Sequence, residues 1–272
     1  MIVPLLGLAG ESGTLLSEYK KYLRDGSGHE NFAEEVREEL GDLLWYIAIV
    51  AKRFDLSLGD IGQRNLEKAR NRWGRSPAPG ERVTAWFYDD GEKPEHQLPR
   101  LMKVNLSLQE IKGKERAVMV INDRDAGDAL SDNRWDEDWY RFHDILHLSF
   151  AVHLAWSPVI RKLLECKRRN DTEKDEIEDG GRACAVEEGI AALVFAYAAK
   201  HSFFQKTDFV DYKMLKIIKD MTEPFEVRTR TLNDWQHAIV NGFKVWNLIK
   251  SARGGGIECN LDTRILQAVM KP

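Results

Sequence analysis

The chain has 272 residues, and its 40 lysines and arginines nearly balance 44 aspartates and glutamates, leaving a net charge of −4. This balance gives no bulk electrostatic attraction to nucleic acid, no apolar run is long enough to span a bilayer, and the N-terminus lacks the features of a secretory signal. Cys166, Cys184 and Cys259 are widely spaced, which predicts neither a disulfide framework nor a thiolate zinc site, so a reducing cytoplasm is the expected location. The length suits one large domain or two ordinary ones.

Three helices are predicted in the first quarter of the chain, over residues 7–24, 30–54 and 57–73. The second contains Glu39 and Asp42, three residues apart and therefore neighbours on one face of a helix. They lie beside the apolar stripe of that helix, where charge is costly unless a cation compensates it. Carboxylate oxygens of this kind suit Mg²⁺, which also binds substrate phosphates. Taken alone, such a pair is more typical of a solvated face, so the surrounding motifs decide the interpretation.

Four motifs follow one another within residues 7–73. They are Gly-Leu-Ala-Gly-Glu at 7–11, Glu-Tyr-Lys-Lys-Tyr-Leu-Arg-Asp-Gly at 18–26, Glu-Glu-Leu-Gly-Asp-Leu-Leu-Trp-Tyr at 38–46 and Asn-Leu-Glu-Lys-Ala-Arg-Asn-Arg-Trp at 65–73. Their order and spacing resemble the MazG-like branch of the all-α nucleoside triphosphate pyrophosphohydrolases, over about residues 1–75. The resemblance implies a helical bundle that assembles as a dimer or tetramer. It also implies cleavage of NTP or dNTP substrates to the monophosphate and pyrophosphate.

The resemblance also implies a set of metal ligands. The family holds Mg²⁺, with Mn²⁺ as an alternative, between a Glu-x-x-Glu on one helix and a Glu-x-x-Asp on the next. Glu11 fills the first position, Glu39 and Asp42 fill the second pair, and Glu38 is a further candidate ligand. Thr14 stands at the remaining position, where its hydroxyl can bond a metal-bound water but supplies no negative charge. Weaker metal affinity is therefore expected, unless a neighbouring carboxylate such as Glu18, Glu35 or Glu38 substitutes.

Substrate contacts are predicted from polar side chains near these motifs. The candidates for contacts with the phosphates are Lys20, Lys21, Lys68 and Arg72. Asn65 is the candidate for a contact with the sugar or base. Each of them taken singly is more often a surface residue than a ligand.

A cluster of Pro, Gly and Ser at 74–80 follows the last motif and predicts a domain boundary. We expect a helical domain over 1–74, a linker over 75–81 and a second domain over 82–272. Strands are predicted over 82–89, 100–111 and 116–121, with a hairpin turn at 112–114, and helices from Trp135 onward except for a loop over 171–181. The predicted fold is therefore mainly α, a helical bundle followed by an α+β domain with a small antiparallel sheet ahead of a helical body. In this second domain, the run Lys167-Arg168-Arg169 is interpreted as a solvated basic turn.

The second domain has its own polar cluster. His143 and His147 are one helical turn apart and can present two imidazoles to one metal, with Asp144 as a further ligand or hydrogen-bond acceptor. Buried structural histidines are an equally weighted alternative. Glu187 and Glu188 open an apolar helix, where they either face a site or complement the helix dipole.

Two resemblances concern this cluster. The string at 143–150 is faintly similar to the His-Asp phosphohydrolases. Tyr-Arg-Phe-His-Asp at 140–144 and Glu-Glu-Gly-Ile at 187–190 resemble a C-terminal domain found fused to some MazG-like proteins.

Three functional hypotheses follow from the two clusters. The first is an Mg²⁺-dependent nucleotide pyrophosphohydrolase with an accessory C-terminal domain. The second makes the first region a degenerate nucleotide-sensing or dimerising module and places a metal-dependent hydrolase site at His143, His147 and Glu187. The third is a nucleotide-responsive binding protein without turnover.

Overall fold

A computed structural model describes residues 2–26, 30–73 and 87–269. The chain divides into two compact units, Met1–Arg70 and Asn71–Pro272. The predicted linker at 75–81 lies outside the described residues. Within the described ranges, no helix combines the length and apolar character needed to cross a membrane.

The N-terminal unit consists of the three predicted helices, and their existence is confirmed. They are α1 (Ile2–Asp25), α2 (Phe32–Arg53) and α3 (Leu58–Trp73). Helices α1 and α2 form an antiparallel hairpin, since Tyr22 stacks on Phe32 near the turn with ring centroids 4.4 Å apart, while Gly7 meets Tyr46 at the far end. A Cβ on Gly7 would lie 2.3 Å from the Tyr46 ring, so only glycine lets the ring rest on the α1 backbone there.

The second unit contains a five-stranded antiparallel sheet in the order β3-β2-β1-β4-β5. Its strands are β1 (Leu101–Ile111), β2 (Lys114–Ile121), β3 (Arg124–Asp125), β4 (Gly255–Asn260) and β5 (Ile265–Val269). The predicted hairpin is confirmed, and its two-residue turn is Lys112-Gly113, both at positive φ (52° and 72°), as a type I′ turn requires. Alternate side chains of β1 are buried, as the sequence pattern predicts.

Two details of the predicted sheet are wrong. Strands β4 and β5 follow the last helix, so the sheet is not built wholly ahead of the helical body. Gly254 and Gly255, at φ 127° and 145°, turn the chain into β4, and a Cβ on Gly254 would lie 2.6 Å from the Leu106 carbonyl oxygen. In the predicted strand at 82–89, residues 82–86 lie outside the described residues, and 88–90 form a turn that directs Asp89 into the interior.

The described part of the second unit also contains six α-helices. They are α4 (Asp144–Leu154), α5 (Pro158–Leu163), α6 (Thr172–Ile177), α7 (Gly181–Lys200), α8 (Tyr212–Met221) and α9 (Leu232–Ala252). Every residue of α4 from Ile145 to Leu154 is buried, as expected for a helix that is covered all round. It packs closely on α9, where Gly242 faces Leu146 and Ser149. Helix α6 lies inside the span predicted as a loop, because Asp171 caps its N-terminus by accepting from Glu173 N and Lys174 N.

Candidate functional site

Helices α1 and α2 bring an acidic cluster together in the N-terminal unit. The half-buried Glu39 on α2 faces Glu11 on α1, close enough for the two carboxyls to share a hydrogen bond. Loss of hydration raises the pKa of Glu39, and the Glu11 carboxyl and the charges of Asp42 and Glu38 raise it further. The four predicted metal-ligand residues therefore act on one another electrostatically.

This cluster meets the requirement of a cation site in its donor chemistry. The Oε2 atom of Glu39 is buried and has no hydrogen-bond partner among the described residues. No ion pair from a described lysine or arginine side chain reaches Glu11, Glu39 or Asp42. These residues offer the oxygen ligands that suit Mg²⁺ or Mn²⁺, and a bound cation would offset the repulsion between their carboxylates. In the described part of the chain, however, no three of their ligand atoms all lie within 4.8 Å of one another.

Thr14 and Glu18 lie on the same helix as Glu11. Thr14 is exposed and its hydroxyl donates back to the Gly10 carbonyl at 3.3 Å. Glu18 is buried and forms an ion pair with Lys21, whose pKa is raised by Glu18 and also by the charge of Glu35. Glu18 therefore already neutralises a lysine, and a predicted phosphate contact, Lys21, is already paired.

The start of α4 forms a second cluster, in the C-terminal unit. One ligand atom from each of His143, Asp144 and His147 lies within 4.8 Å of the others. The His143 ring stacks on Tyr140, with centroids 4.3 Å apart, and its Nδ1–H donates to the Tyr140 carbonyl at 3.0 Å. This hydrogen bond directs Nε2 of His143 towards Asp144 Oδ1 at 3.7 Å.

Glu187 and Glu188 on α7 contact these histidines in different ways. His147 is fully buried, and its Nδ1–H donates to Glu187 Oε1 at 2.8 Å. The Glu188 Oε2 atom lies 3.3 Å from His147 Nε2 and 3.5 Å from His143 Nε2. Both glutamates lie about two turns inside α7, beyond the first turn in which a helix dipole acts strongly.

The charges in this cluster are coupled. Burial alone would lower the pKa of His147, but the nearby Glu187 carboxylate raises this pKa to about 10. His143 and His147 in turn hold the pKa of the Glu188 carboxyl well below its usual range. His147 and Glu188 therefore carry opposite charges where His147 Nε2 meets Glu188 Oε2.

Comparison with known proteins assigns both units. The family model of the MazG nucleotide pyrophosphohydrolase domain matches residues 5–75. The family model of the MazG C-terminal domain matches residues 83–272. The chain belongs to the MazG family. The Gene 37 protein of Mycobacterium phage L5 is 40% identical over 78 residues, which are 28% of this chain and 68% of that protein. No solved structure matches the chain. The resemblance inferred from the sequence motifs is thus confirmed for both parts.

The two clusters fall in different MazG domains. Glu11, Glu38, Glu39 and Asp42 lie within the MazG nucleotide pyrophosphohydrolase match. His143, Asp144, His147, Glu187 and Glu188 lie within the MazG C-terminal match.

The predicted substrate contacts of the MazG nucleotide pyrophosphohydrolase domain have varied surroundings. Lys20 on α1 and Asn65 on α3 are exposed. Lys68 and Arg72 also belong to α3, but their side chains lie outside the described residues.

Sequence reasoning missed the groups that hold the C-terminal cluster in place. Asp132 binds the Arg141 guanidinium at 2.9 Å through both oxygens, and Asp132 Oδ1 also accepts from Arg141 N at 2.8 Å. Both side chains are buried, so this pair fixes the segment that leads into His143. Ser157 donates to Glu187 Oε1 at 2.6 Å and also caps α5. The Ser-Pro pair at 157–158 is a helix-start signal that could have drawn attention to Ser157.

Proposed function

We propose that this MazG-family chain is an Mg²⁺-dependent nucleoside triphosphate pyrophosphohydrolase, with Glu11, Glu39 and Asp42 at its centre. Its products would be the nucleoside monophosphate and pyrophosphate, from NTP or dNTP substrates. The observation that supports this most directly is the approach of Glu11 to Glu39 across two helices, with one Glu39 oxygen buried and without a hydrogen-bond partner. Among the described residues, no lysine or arginine forms an ion pair with Glu11, Glu39 or Asp42. On this proposal residues 1–74 form the catalytic domain, and residues 82–272 form an accessory domain joined through 75–81.

The chain's own residues have distinct parts in this chemistry. Glu11, Glu39, Asp42 and Glu38 would hold the metal, which supplies charge neutralisation at the phosphate oxygens. A carboxylate of this cluster would orient the attacking water or accept its proton. Mn²⁺ has the same preference for oxygen ligands and can replace Mg²⁺.

Positive side chains would complete the substrate site. Lys20 and Lys21 on α1, and Lys68 and Arg72 on α3, are our candidates for the phosphate charge, and Asn65 for the sugar or base. Lys21 would have to exchange its Glu18 partner for phosphate, whereas Lys20 is exposed and has no ion pair among the described residues.

The pyrophosphate assay tests the proposal. Wild type is expected to release pyrophosphate, not orthophosphate, from a panel of ribo-, deoxyribo- and modified triphosphates with Mg²⁺ or Mn²⁺. Asp42→Asn is expected to lower the rate by about a hundredfold or more, because the metal loses a charged ligand. Lack of pyrophosphate release from the whole panel would contradict the proposal.

A second candidate places hydrolysis in the C-terminal domain and makes the first domain a nucleotide-sensing or dimerising module. The convergence of His143, His147 and Glu188 favours it, together with Thr14 at a ligand position. It predicts the opposite outcome in the same assay: activity lost in His143→Ala and retained in Asp42→Asn.

We also propose that the chain forms a homo-oligomer, a dimer or tetramer, through its N-terminal helices. In the described part of this unit only Glu18 and Ala51 are buried. Large apolar side chains on both α1 and α2 are more than 60% exposed, including Val3, Leu6, Leu16, Leu23 and Leu44. Apolar surface of this extent on a helical pair is typical of an interface. A reducing cytoplasm stays the predicted location.

The oligomer is tested by light scattering after size-exclusion chromatography. Leu16→Lys is expected to shift the equilibrium from oligomer towards monomer, because a charge would have to be buried at the interface. Leu248→Lys is the control, since Leu248 is also exposed but lies on α9 of the other unit. The same mass for wild type and Leu16→Lys would remove this face from the interface.

A further inference from the structure

The C-terminal cluster has a donor set that the proposed pyrophosphohydrolase chemistry does not use. Four side chains converge there: the Nε2 atoms of His143 and His147, an oxygen of Asp144 and Oε2 of Glu188. The first three ligand atoms lie within 4.8 Å of one another, and Glu188 Oε2 lies within 3.5 Å of both imidazoles. We propose that these four residues bind a divalent first-row transition-metal ion.

His147 gives an independent reason for a ligand at this point. Its side chain is fully buried, and its Nε2 atom has no hydrogen-bond partner within the part of the chain that the structure describes. The contact of 3.3 Å with Glu188 brings the two groups close without hydrogen-bond geometry. Leaving a buried polar atom without a partner is unfavourable, and a metal bound to Nε2 would remove that cost.

Hydrogen bonds on the far side of each imidazole fix which nitrogen faces the cluster. His143 donates from Nδ1 to the Tyr140 carbonyl, and His147 donates from Nδ1 to Glu187. Each Nε2 then faces the cluster, where a bound metal would take the place of the Nε2 proton. Carboxylate or carbonyl partners of this kind typically orient metal-binding histidines.

Glu187 is itself held on three sides. It accepts from Ser157 Oγ at 2.6 Å and from Val159 N at 2.8 Å, besides the bond from His147. Its oxygens are therefore engaged away from the cluster. We assign Glu187 as a positioning residue for His147 and not as a metal ligand.

The ligand types select the metal. Two imidazole nitrogens with two carboxylate oxygens suit Zn²⁺, Co²⁺, Fe²⁺ or Mn²⁺, whereas Mg²⁺ prefers oxygen ligands throughout. The side chain of Glu188 is 48% exposed, so the cluster is open to solvent on that side. The C-terminal cluster would thus favour metals that accept nitrogen ligands, whereas the N-terminal carboxylates offer oxygen ligands alone.

A second histidine pair shows that proximity alone is not the argument. The rings of His153 and His237 lie 4.7 Å apart, but His153 Nε2–H donates to Asn241 Oδ1 at 2.7 Å. Burial lowers the pKa of His153 to about 3, so that it stays neutral. This pair does not belong to any group of metal-ligating side chains found in the described residues. His237, exposed at the edge of this pair, provides a matched control.

The experiment is a Co²⁺ titration of the full chain in an Asp42→Asn background, which weakens the N-terminal site. Co²⁺ bound by nitrogen and oxygen ligands absorbs visible light, and metal content after dialysis is measured in parallel by mass spectrometry. We expect one Co²⁺ per chain, displaced by Zn²⁺ and not by excess Mg²⁺. His143→Asn and Glu188→Gln are each expected to weaken Co²⁺ binding by at least about tenfold, and Glu187→Gln by about tenfold. His237→Gln is expected to leave it unchanged.

Glu188 is partly exposed, whereas His143 is buried, so folding is checked for both ligand variants by far-UV circular dichroism. The fully buried His147 is left intact for the same reason. Absence of Co²⁺ and Zn²⁺ binding in the wild-type cluster, or equal binding in wild type, His143→Asn and Glu188→Gln, would overturn the proposal. The cluster would then be a buried histidine–glutamate ion-pair network. Because the readout is metal binding, the result is independent of pyrophosphate release.

Discussion

Asp179→Ala is expected to lower the free energy of unfolding of the C-terminal unit by about 3–5 kcal/mol, since it removes one partner of a buried charge pair. Asp179 is fully buried and binds Arg168 three times: Oδ2 accepts from the backbone N at 2.8 Å and from Nε at 3.1 Å, and Oδ1 accepts from Nη2 at 2.8 Å. Its Oδ1 also lies 3.6 Å from Arg161 Nε. The substitution therefore weakens the compensation of two buried guanidinium groups at once.

The neighbours of Asp179 cannot replace it. Arg161 still forms an ion pair with Asp89 at 2.6 Å. Asp89, however, also pairs with Arg100 at 2.7 Å and accepts a hydrogen bond from the backbone N of Leu98 at 2.8 Å. Arg168 keeps Glu226 at 2.8 Å. After the change, Arg161 depends on Asp89, which it shares with Arg100, and Arg168 depends on Glu226 alone, so the buried positive charge is less well compensated.

Urea denaturation followed by tryptophan fluorescence measures this effect, because the buried Trp156, Trp235 and Trp246 report on the C-terminal unit. The matched control is Asp208→Ala, which breaks the exposed pair of Asp208 with Lys244 at 2.9 Å. An exposed pair contributes less than about 1 kcal/mol. Equal losses in the two variants would mean that the Asp179 network does not stabilise the unit.

Arg168 also illustrates what a sequence conceals. The basic run at 167–169 was interpreted as a solvated turn, yet Arg168 is fully buried. Its partners Asp179 and Glu226 are 11 and 58 residues away, and no local pattern marks them as partners. The same holds for Asp132 with Arg141 and for Glu187 with His147, whose pairing depends on how α4 and α7 pack.

Local patterns, by contrast, predict local structure. The positive-φ turn at Lys112-Gly113 joins adjacent strands, and the alternation in β1 reports burial of one face. Helices α1 to α3 follow from their 3.6-residue periodicity. Strand β4 escaped prediction because its apolar content is low and its partner is distant, since Leu101 pairs with Asn260. The spacing predicts the acidic pair Glu39 and Asp42, and the family resemblance adds Glu11 to it. The antiparallel hairpin of α1 and α2 is what brings Glu11 to Glu39.

Glu39→Gln is expected to lower pyrophosphate release by at least about a hundredfold, for the loss of a charged metal ligand. The same change is not expected to destabilise the N-terminal unit in metal-free buffer. Glu39 faces Glu11, and its raised pKa shows that the folded state disfavours its negative charge. A neutral amide of the same shape relieves this repulsion. Loss of activity without loss of stability distinguishes a ligand from a structural side chain.

The raised pKa of Glu39 also determines how its contribution to stability in metal-free buffer depends on pH. Because the folded-state pKa of Glu39 lies above its ordinary value of 4.5, the folded state binds a proton more readily than the unfolded state. The contribution of Glu39 to stability therefore increases as the pH falls through the folded-state pKa towards 4.5, and it decreases as the pH rises. Acid should correspondingly weaken Mg²⁺ binding, since the proton and the metal compete for the carboxylates.

A thermal-shift experiment tests these expectations together. Mg²⁺ should raise the Tm of wild type with increasing concentration, because it binds the folded state only, and should do so much less for Glu39→Gln. The control is Glu34→Gln, which changes an exposed glutamate on the same helix that pairs with Arg37 at 3.1 Å. This variant should keep both the Mg²⁺ response and the activity. If Glu39→Gln responded to Mg²⁺ as wild type does, the carboxylates of α1 and α2 would not be the metal site. A metal-free Tm clearly below that of wild type would instead assign Glu39 a structural role.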